Sequence, residues 1–504
     1  MRRNLIFLSV PVALCLLLTG CGNTLIHSVP AQGDVPVSLS MTDDPPQGVD
    51  VLFFQVSLTA ATLTSSSSST SVSLLSGNTP IQIDVTELQA LSAFLSTADL
   101  TAGTTYSSLS LTFANPELVI YNSADTSLGS SCTVGSICEL APSFDGSTTV
   151  NFTASPFPVT MTESSPLGFL VDFHLNKVIQ PDLSVNLGAA NGITIGELPS
   201  MPQHPQFGSV TGEVESVDAS NNDFTILTAW GRTFTIDTTS STTFDNFPTS
   251  ACSTAGIGCV ANGQVVQVQV ADVAKHAILT ASQVSYVQAG GTQTVEGTIL
   301  DILPLPTPAG VEVVQMLMHR TPGTSGDVPL GGLATVTFVN GAAYSIDNNG
   351  FTIPAGLTFT STSDVYPGQT VSVAIDQGTL KKGGGGNWGS GWGPPSTVSF
   401  SSNSIALEPT QVSGMITALD STNQSFTLSF NLPGFIPFPN LPKSLSFDVM
   451  TTSQTTYQGF TPESFDGLST QQFASVNGWL FAPATTGPPQ IAAQSVVSHQ
   501  NGWF

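Results

Sequence analysis

The sequence predicts an all-β chain, an N-terminal antiparallel β-sandwich followed by three small β-barrel-like repeats. Three observations carry this prediction. Only 9% of residues are charged, against about 25% in an average globular protein, and threonine, valine and phenylalanine, which fit a pleated backbone, are common. Short segments alternating apolar and polar residues recur between clusters of Gly, Pro, Ser and Asn, the pattern of strands and turns. From Phe207 onward one group of such segments is repeated, which points to a row of similar units.

The first element is a leader. Arg2 and Arg3 precede an uncharged run, Leu5–Leu18, that ends in Leu18-Thr19-Gly20-Cys21. A basic start, a short apolar core and small residues before a cut site are the parts of an export signal. The run spans 14 residues, short of the roughly 20 that cross a bilayer as a helix. Its end resembles the lipobox of bacterial lipoproteins. The resemblance implies that residues 1–20 are removed and that Cys21 becomes the lipidated first residue, anchoring the chain to the membrane. Gly22 stands where some lipoproteins carry an inner-membrane retention Asp, so the outer membrane or cell surface is favoured over the inner membrane. Residues 21–33 read as a polar tether.

A sandwich domain is expected over residues 34–200. Its strands are Val35–Met41, Leu52–Leu63, Ser71–Leu75, Ile81–Val85, Ser107–Phe113, Leu118–Tyr121, Thr148–Ala154 and Leu167–Lys177. Leu88, Leu91 and Leu95 recur at intervals of three and four, which predicts a short amphipathic helix over Glu87–Leu95. Three motifs, Ser40-Met41-Thr42-Asp43-Asp44-Pro45, Ile83-Asp84-Val85-Thr86-Glu87-Leu88 and Ala102-Gly103-Thr104-Thr105-Tyr106, resemble the family called domain of unknown function 4382. That resemblance implies a β-sandwich on an exported envelope lipoprotein and assigns no activity.

The repeats are expected at residues 207–288, 293–408 and 410–499. Each opens with a similar strand: Val210-Thr211-Gly212-Glu213-Val214, Val295-Glu296-Gly297-Thr298-Ile299 and Val412-Ser413-Gly414-Met415-Ile416. Two copies then carry a Gly-Gln turn before a later strand, Gly263-Gln264 and Gly368-Gln369, and Asn477-Gly478 is its expected counterpart in the third. Five strands per unit suit a small closed or partly open barrel. The opening Gly and the Gly-Gln turn resemble the family called domain of unknown function 5666, from which the third copy departs at its second turn. Within the second unit, residues 383–395 form a glycine-dense stretch that reads as a flexible hairpin loop, with Trp388 and Trp392 as candidate ligand contacts.

Cysteine and charge narrow the function. Cys15 leaves with the leader and Cys21 takes the lipid, which leaves Cys132 with Cys138 and Cys252 with Cys259. An oxidising compartment favours two local disulfides, and the spacing within and between the pairs is wide for a zinc site. Removing the leader leaves seven Lys and Arg against 34 acidic residues, which argues against nucleic acid as a partner. Asp43, Asp44 and Asp50 lie in a Pro/Gly-rich stretch as candidate calcium ligands, and turn-forming aspartates explain them equally. His174 follows Asp172 by two strand positions, read as a surface pair, while His204, His276, His319 and His499 read as loop or strand-face residues. No nucleophile elbow, zincin helix, Ser-x-x-Lys or phosphate-binding glycine loop appears. The expectation is a non-enzymatic binding or scaffolding protein, without cofactor, whose ligand is a glycan or another envelope protein. The competing readings are a carboxylate-dependent glycan hydrolase, which needs two acids at defined separation, and a calcium-stabilised adhesin.

Overall fold

The structure, a computed structural model, describes residues 34–498 apart from 45–50, 68–70, 76–79, 89–92, 123–126, 128–131, 163–166, 200–208, 229–232, 249–255, 276–277, 289–293, 304–310, 321–329, 349, 384–391, 394, 431–444 and 484–486. The leader, the tether and Cys21 lie outside the described residues. What is described is almost entirely strand, in sheets that pack face to face or close on themselves.

The N-terminal unit contains β1 (Asp34–Asp44), β2 (Val51–Ser65), β3 (Ser71–Ser73), β4 (Ile81–Asp84), β5 (Ala93–Thr101), β6 (Thr105–Tyr121), β7 (Ile137–Leu140), β8 (Thr149–Phe152), β9 (Val159–Thr160), β10 (Leu167–His174) and β11 (Ile193–Pro199). One sheet runs β11-β10-β1-β5, and the other is built on the long β2–β6 pair. Pairing is mainly antiparallel, with β1 and β10 side by side in parallel. Alternate residues of each sheet meet between them: Leu39 and Met41 of β1 and Phe169 and Phe173 of β10 join Phe54 of β2 and Phe113 of β6 in one core.

Two local expectations are corrected. Among the described residues of the helix expected over Glu87–Leu95, Glu87 and Leu88 end a 3-10 turn at Val85–Leu88, and Ala93–Leu95 already belong to β5. Leu88 and Leu95 are buried as their spacing implied. A helix this short is marginal alone, whereas β5 gains a full ladder of partners along β1. The strand expected over Leu167–Lys177 stops at His174, where α1 (Leu175–Val178) makes one helical turn.

The three repeats each close into a five-stranded ring. In the first, β12 (Ser209–Asp218) pairs with β13 (Asp223–Thr228), which pairs with β14 (Thr233–Asp237), flanked by the short β15 (Thr243–Asp245). β16 (Val265–Lys275) joins β12 to β17 (Ile278–Gln288), and β17 returns to β14 in parallel, closing the ring. In the second, β18 (Thr294–Ile302), β19 (Glu312–Arg320), β20 (Leu333–Ile346), β21 (Thr370–Ala374) and, after β22 (Lys381–Lys382) and β23 (Trp392–Gly393), β24 (Thr397–Glu408) repeat the order, with β20 and β24 parallel. The third uses β25 (Thr410–Asp420), β26 (Ser425–Phe430), β27 (Leu445–Met450), β28 (Thr456–Gln458), β29 (Phe473–Phe481) and β30 (Gln490–Ser498), closed by the parallel β27–β30 pair. A 3-10 turn precedes the fourth strand of each ring, at Ile257–Cys259, Thr362–Asp364 and Phe465–Gly467. This connectivity is that of an OB-type barrel.

The opening glycines have a steric cause. A Cβ on Gly212, Gly297 or Gly414 would lie 2.7, 2.1 or 2.8 Å from a carbonyl oxygen on the neighbouring second strand. The first and third repeats then turn on the same chemistry. Asp218 Oδ1 accepts the backbone N–H groups of Ser220 and Asn221, and Asp420 Oδ1 those of Thr422 and Asn423. The hydroxyl of Ser220 and the amide of Asn423 lead the hydrogen bonds that hold these two carboxyls below the usual range.

The third copy's second turn is also corrected. Asn477 and Gly478 lie inside β29, while the counterpart of Gly263 and Gly368 is Gln471. The N–H groups of Gly263, Gly368 and Gln471 donate to Val214, Ile299 and Ile416 at 2.7, 2.6 and 2.7 Å. The next residue is Gln in every copy, and Gln264, Gln369 and Gln472 each accept a backbone N–H from three positions earlier through Oε1. The three φ values are 84°, 94° and 66°. Gln471 therefore adopts a left-handed conformation that costs a residue with a Cβ about 1–2 kcal/mol.

These glycines and the Gln set two expectations for urea melts. Gln471→Gly stabilises the third barrel by up to about 1 kcal/mol, and Gly297→Ala destabilises the second by about 1–3 kcal/mol through overpacking.

Candidate functional site: the seam between the sandwich and the second barrel

β2 opens with Val51-Leu52-Phe53-Phe54, apolar at successive positions, and every residue of Val51–Leu58 is buried. Such a run needs cover on both faces of its sheet. Phe54 faces the sandwich core, while Leu52 and Phe53, with Val119 of β6, pack against Leu300, Leu317 and Leu333 of the second barrel. The two units thus share an apolar seam, and polar groups are set into it.

At its centre is His319, the penultimate residue of β19. Its Nδ1–H donates to Asp84 Oδ2 at the end of β4 at 2.9 Å, and its Nε2 lies 3.1 Å from Thr298 Oγ1 on β18. The His319 and Asp84 side chains are only 5% and 8% exposed. Asp84 also accepts the backbone N–H of Thr86 at 3.0 Å and the Thr86 hydroxyl. The ring of Phe53 stands 6.2 Å from the imidazole. A buried carboxylate held by this many donors is satisfied only while the two units are joined, because His319 comes from the other unit.

Two more acids line the seam. Glu117 of β6 lies against the turn before β20, where a Cβ on Gly331 would sit 2.7 Å from Phe53 Cε1 and 3.1 Å from Glu117 Oε1. Gly331 has φ +71°, so both conformation and space call for glycine there. Burial pushes the Glu117 carboxyl up to about 7, with the charges of Glu139 and Asp84 adding to the rise. Glu139 of β7 is raised by burial, opposed by the Ser396 N–H that donates to its Oε2 at 3.1 Å. Beside it, β23 leaves the second barrel and pairs with β7, Trp392 with Leu140 and Gly393 with Glu139. This pairing covers a sheet edge that would otherwise be open to association.

The second barrel also meets both other barrels. Asn246 of the first lies 3.5 Å from Asp347 Oδ1. From the third, Trp479 Nε1–H donates to Asp347 O at 2.9 Å and its ring packs 5.0 Å from Phe351. Gln454 accepts Thr352 N–H and donates to Gly350 O, while Gln369 Nε2 donates to Leu480 O. Elsewhere on this barrel, burial raises Glu312 to about 7 and Tyr344 to about 12, and Glu312 Oε2 and Tyr344 OH are buried without hydrogen-bond partners.

The sequence-predicted sites fall as follows. Cys132 and Cys138 are joined by a disulfide with Cα atoms 5.5 Å apart, and Cys259 is also disulfide-bonded, while Cys252 lies outside the described residues. Asp43 and Asp44 are not in a loop but end β1, paired with Phe173 and His174, because the parallel ladder continues to that point; Asp50 lies outside the described residues. Trp388 does too, and Trp392, expected on a free hairpin tip, has its backbone engaged in the β7 ladder. His174 is buried, not on the surface, with Nε2 3.8 Å from Asp172 Oδ2, since its strand packs inside the sandwich. His319 is buried at the seam and not on an open strand face; His204, His276 and His499 lie outside the described residues. Among the described residues, no three His, Cys, Asp or Glu side chains converge as a metal site, and no helix is long and apolar enough to cross a membrane.

Asp84, Glu117, Glu139 and His319 were not singled out as a site by sequence. One signal was present: His319 ends the apolar run Val313–Met318, broken only by Gln315, where a buried polar group needs a partner.

Residues 34–190 match the family model described as Domain of unknown function (DUF4382). No curated protein matches the chain.

Removing either member of the Asp84–His319 pair strands the other. His319→Ala is expected to lower the unfolding free energy by about 3 kcal/mol, measured by urea titration, with Asp84→Asn milder because an amide still accepts the Nδ1–H.

Proposed function

We propose that this chain is a non-enzymatic binding scaffold of the bacterial envelope, exported and held at the outer membrane or cell surface by lipid on Cys21, with a glycan as its ligand. The observation that carries the reading is the linkage of the units. The second barrel is fastened to the sandwich by the seam and to both neighbours through residues 347–352. Such joints hold several binding faces in fixed relation, which favours an extended ligand over a small substrate. OB-type barrels carry oligomeric ligands on one face and its adjoining loops. With nine Lys and Arg against 34 acids, phosphate-rich polymers are repelled, which leaves neutral or amino-sugar glycans. We read the three barrels as similar to domain of unknown function 5666 on the strength of their opening glycines and Gln turns.

Two measurements test this. Cys21→Ser is expected to move the chain from the membrane pellet to the soluble exported fraction. The lipid-free chain is expected to co-sediment with insoluble envelope polysaccharide and leave it uncleaved. Retention of envelope proteins alone would move the ligand class to protein, and release of reducing ends would establish a hydrolase instead.

A further inference from the structure

We propose that the seam between the sandwich and the second barrel is a pH-operated latch, closed in mild acid and loosened as the pH rises past neutrality. The geometry carries this. Three carboxylates from the sandwich, Asp84 on β4, Glu117 on β6 and Glu139 on β7, meet the second barrel along one strip. The barrel answers them with one imidazole, His319, bonded to Asp84 at 2.9 Å, with the Thr298 hydroxyl behind it. Against Glu139 it sets the backbone N–H of Ser396 at 3.1 Å. Against Glu117 it sets only the Phe53-packed turn at Gly331. The charges that act on Glu117 are Glu139 and Asp84, both acidic.

In acid, Glu117 is neutral, and any positive charge on His319 strengthens its hydrogen bond to Asp84. Above neutrality Glu117 ionises in a partly desolvated strip, where Glu139 and Asp84 both oppose its charge. The sign follows from linkage. The Glu117 carboxyl titrates near 7 with the seam closed and in the ordinary carboxylate range when solvated. Its contribution to closure is therefore fully present below about pH 4.5 and lost as the pH rises through 7. Opening would part β23 from β7 and expose a strand edge of the sandwich.

Amide hydrogen exchange on the full chain tests the latch, after correction for the intrinsic pH dependence of exchange. Peptides covering β7 and β23 are expected to exchange on the order of tenfold faster at pH 8 than at pH 5.5. The β25–β29 ladder of the third barrel is expected to stay equally protected. Glu117→Gln should abolish the difference while keeping the seam closed at both pH values, since a neutral amide mimics the protonated acid. Equal protection of β7 and β23 at the two pH values in the unmodified chain overturns the proposal. So does a pH effect that persists in Glu117→Gln, or one shared equally by the third barrel.

Discussion

Each barrel depends on one strand serving two partners. The first strand of every ring pairs with the fourth strand along its first half and with the second strand along its remainder, so it must bend sharply where it changes allegiance. Gly212, Gly297 and Gly414 sit at that bend. A side chain there would collide with a second-strand carbonyl. Just beyond, each strand carries a register shift, between Val214 and Ser216, Ile299 and Asp301, and Ile416 and Ala418. A glycine kink followed by a bulge is how a sheet curves enough to close. Closure then removes the free edges and encloses a core in each ring, the second one joined by Trp479, Phe481 and Ala492 of the third.

This explains why the repeats were legible and the sandwich less so. The Val-x-Gly opening exists in sequence because a steric requirement acts on a single residue, and it recurs wherever the ring recurs. The Gly-Gln turn was half legible. Its glutamine survives in the third copy as Gln472, since its hydrogen bond to Ser469 N–H needs the side chain. Its glycine is replaced by Gln471, which tolerates positive φ at a cost, so the nearest Asn-Gly pair, Asn477-Gly478, imitates the turn in sequence without forming it. Gly478 is also tightly placed, with a Cβ position 2.2 Å from Ala492 O, but its constraint is strand packing within β29.

What stayed hidden was set by contacts distant in sequence. Leu88, Leu91 and Leu95 fit a helical stripe, yet β1 lies more than fifty positions before the end of β5 and supplies a ladder that a local pattern does not contain. Asp84 and His319 are separated by 235 positions, and each alone resembles an ordinary residue of its type. The doubled apolarity of Val51–Phe54 was the clearest trace of the seam, because a two-layer sandwich needs only alternate residues of that strand to be apolar. The second face had to be covered by something, and the second barrel covers it.

The shortage of cations gives the seam its character. In a chain with nine Lys and Arg and 34 acids, a carboxylate carried into an interface seldom finds a basic partner and must be held by what is at hand. Exposed acids solve this in turns, as Asp218 and Asp420 do with backbone N–H groups and neighbouring side chains. Those at the seam have fewer options: Asp84 takes an imidazole and a threonine, Glu139 takes a single backbone N–H, and Glu117 feels the charge of both. An arginine in the strip would have fixed all three in their charged forms across the physiological range. An imidazole and a solitary N–H leave the balance of charge to the proton. The same shortage of cations thus leaves the joint between the two units sensitive to acidity, where β23 of the second barrel crosses onto β7 of the sandwich.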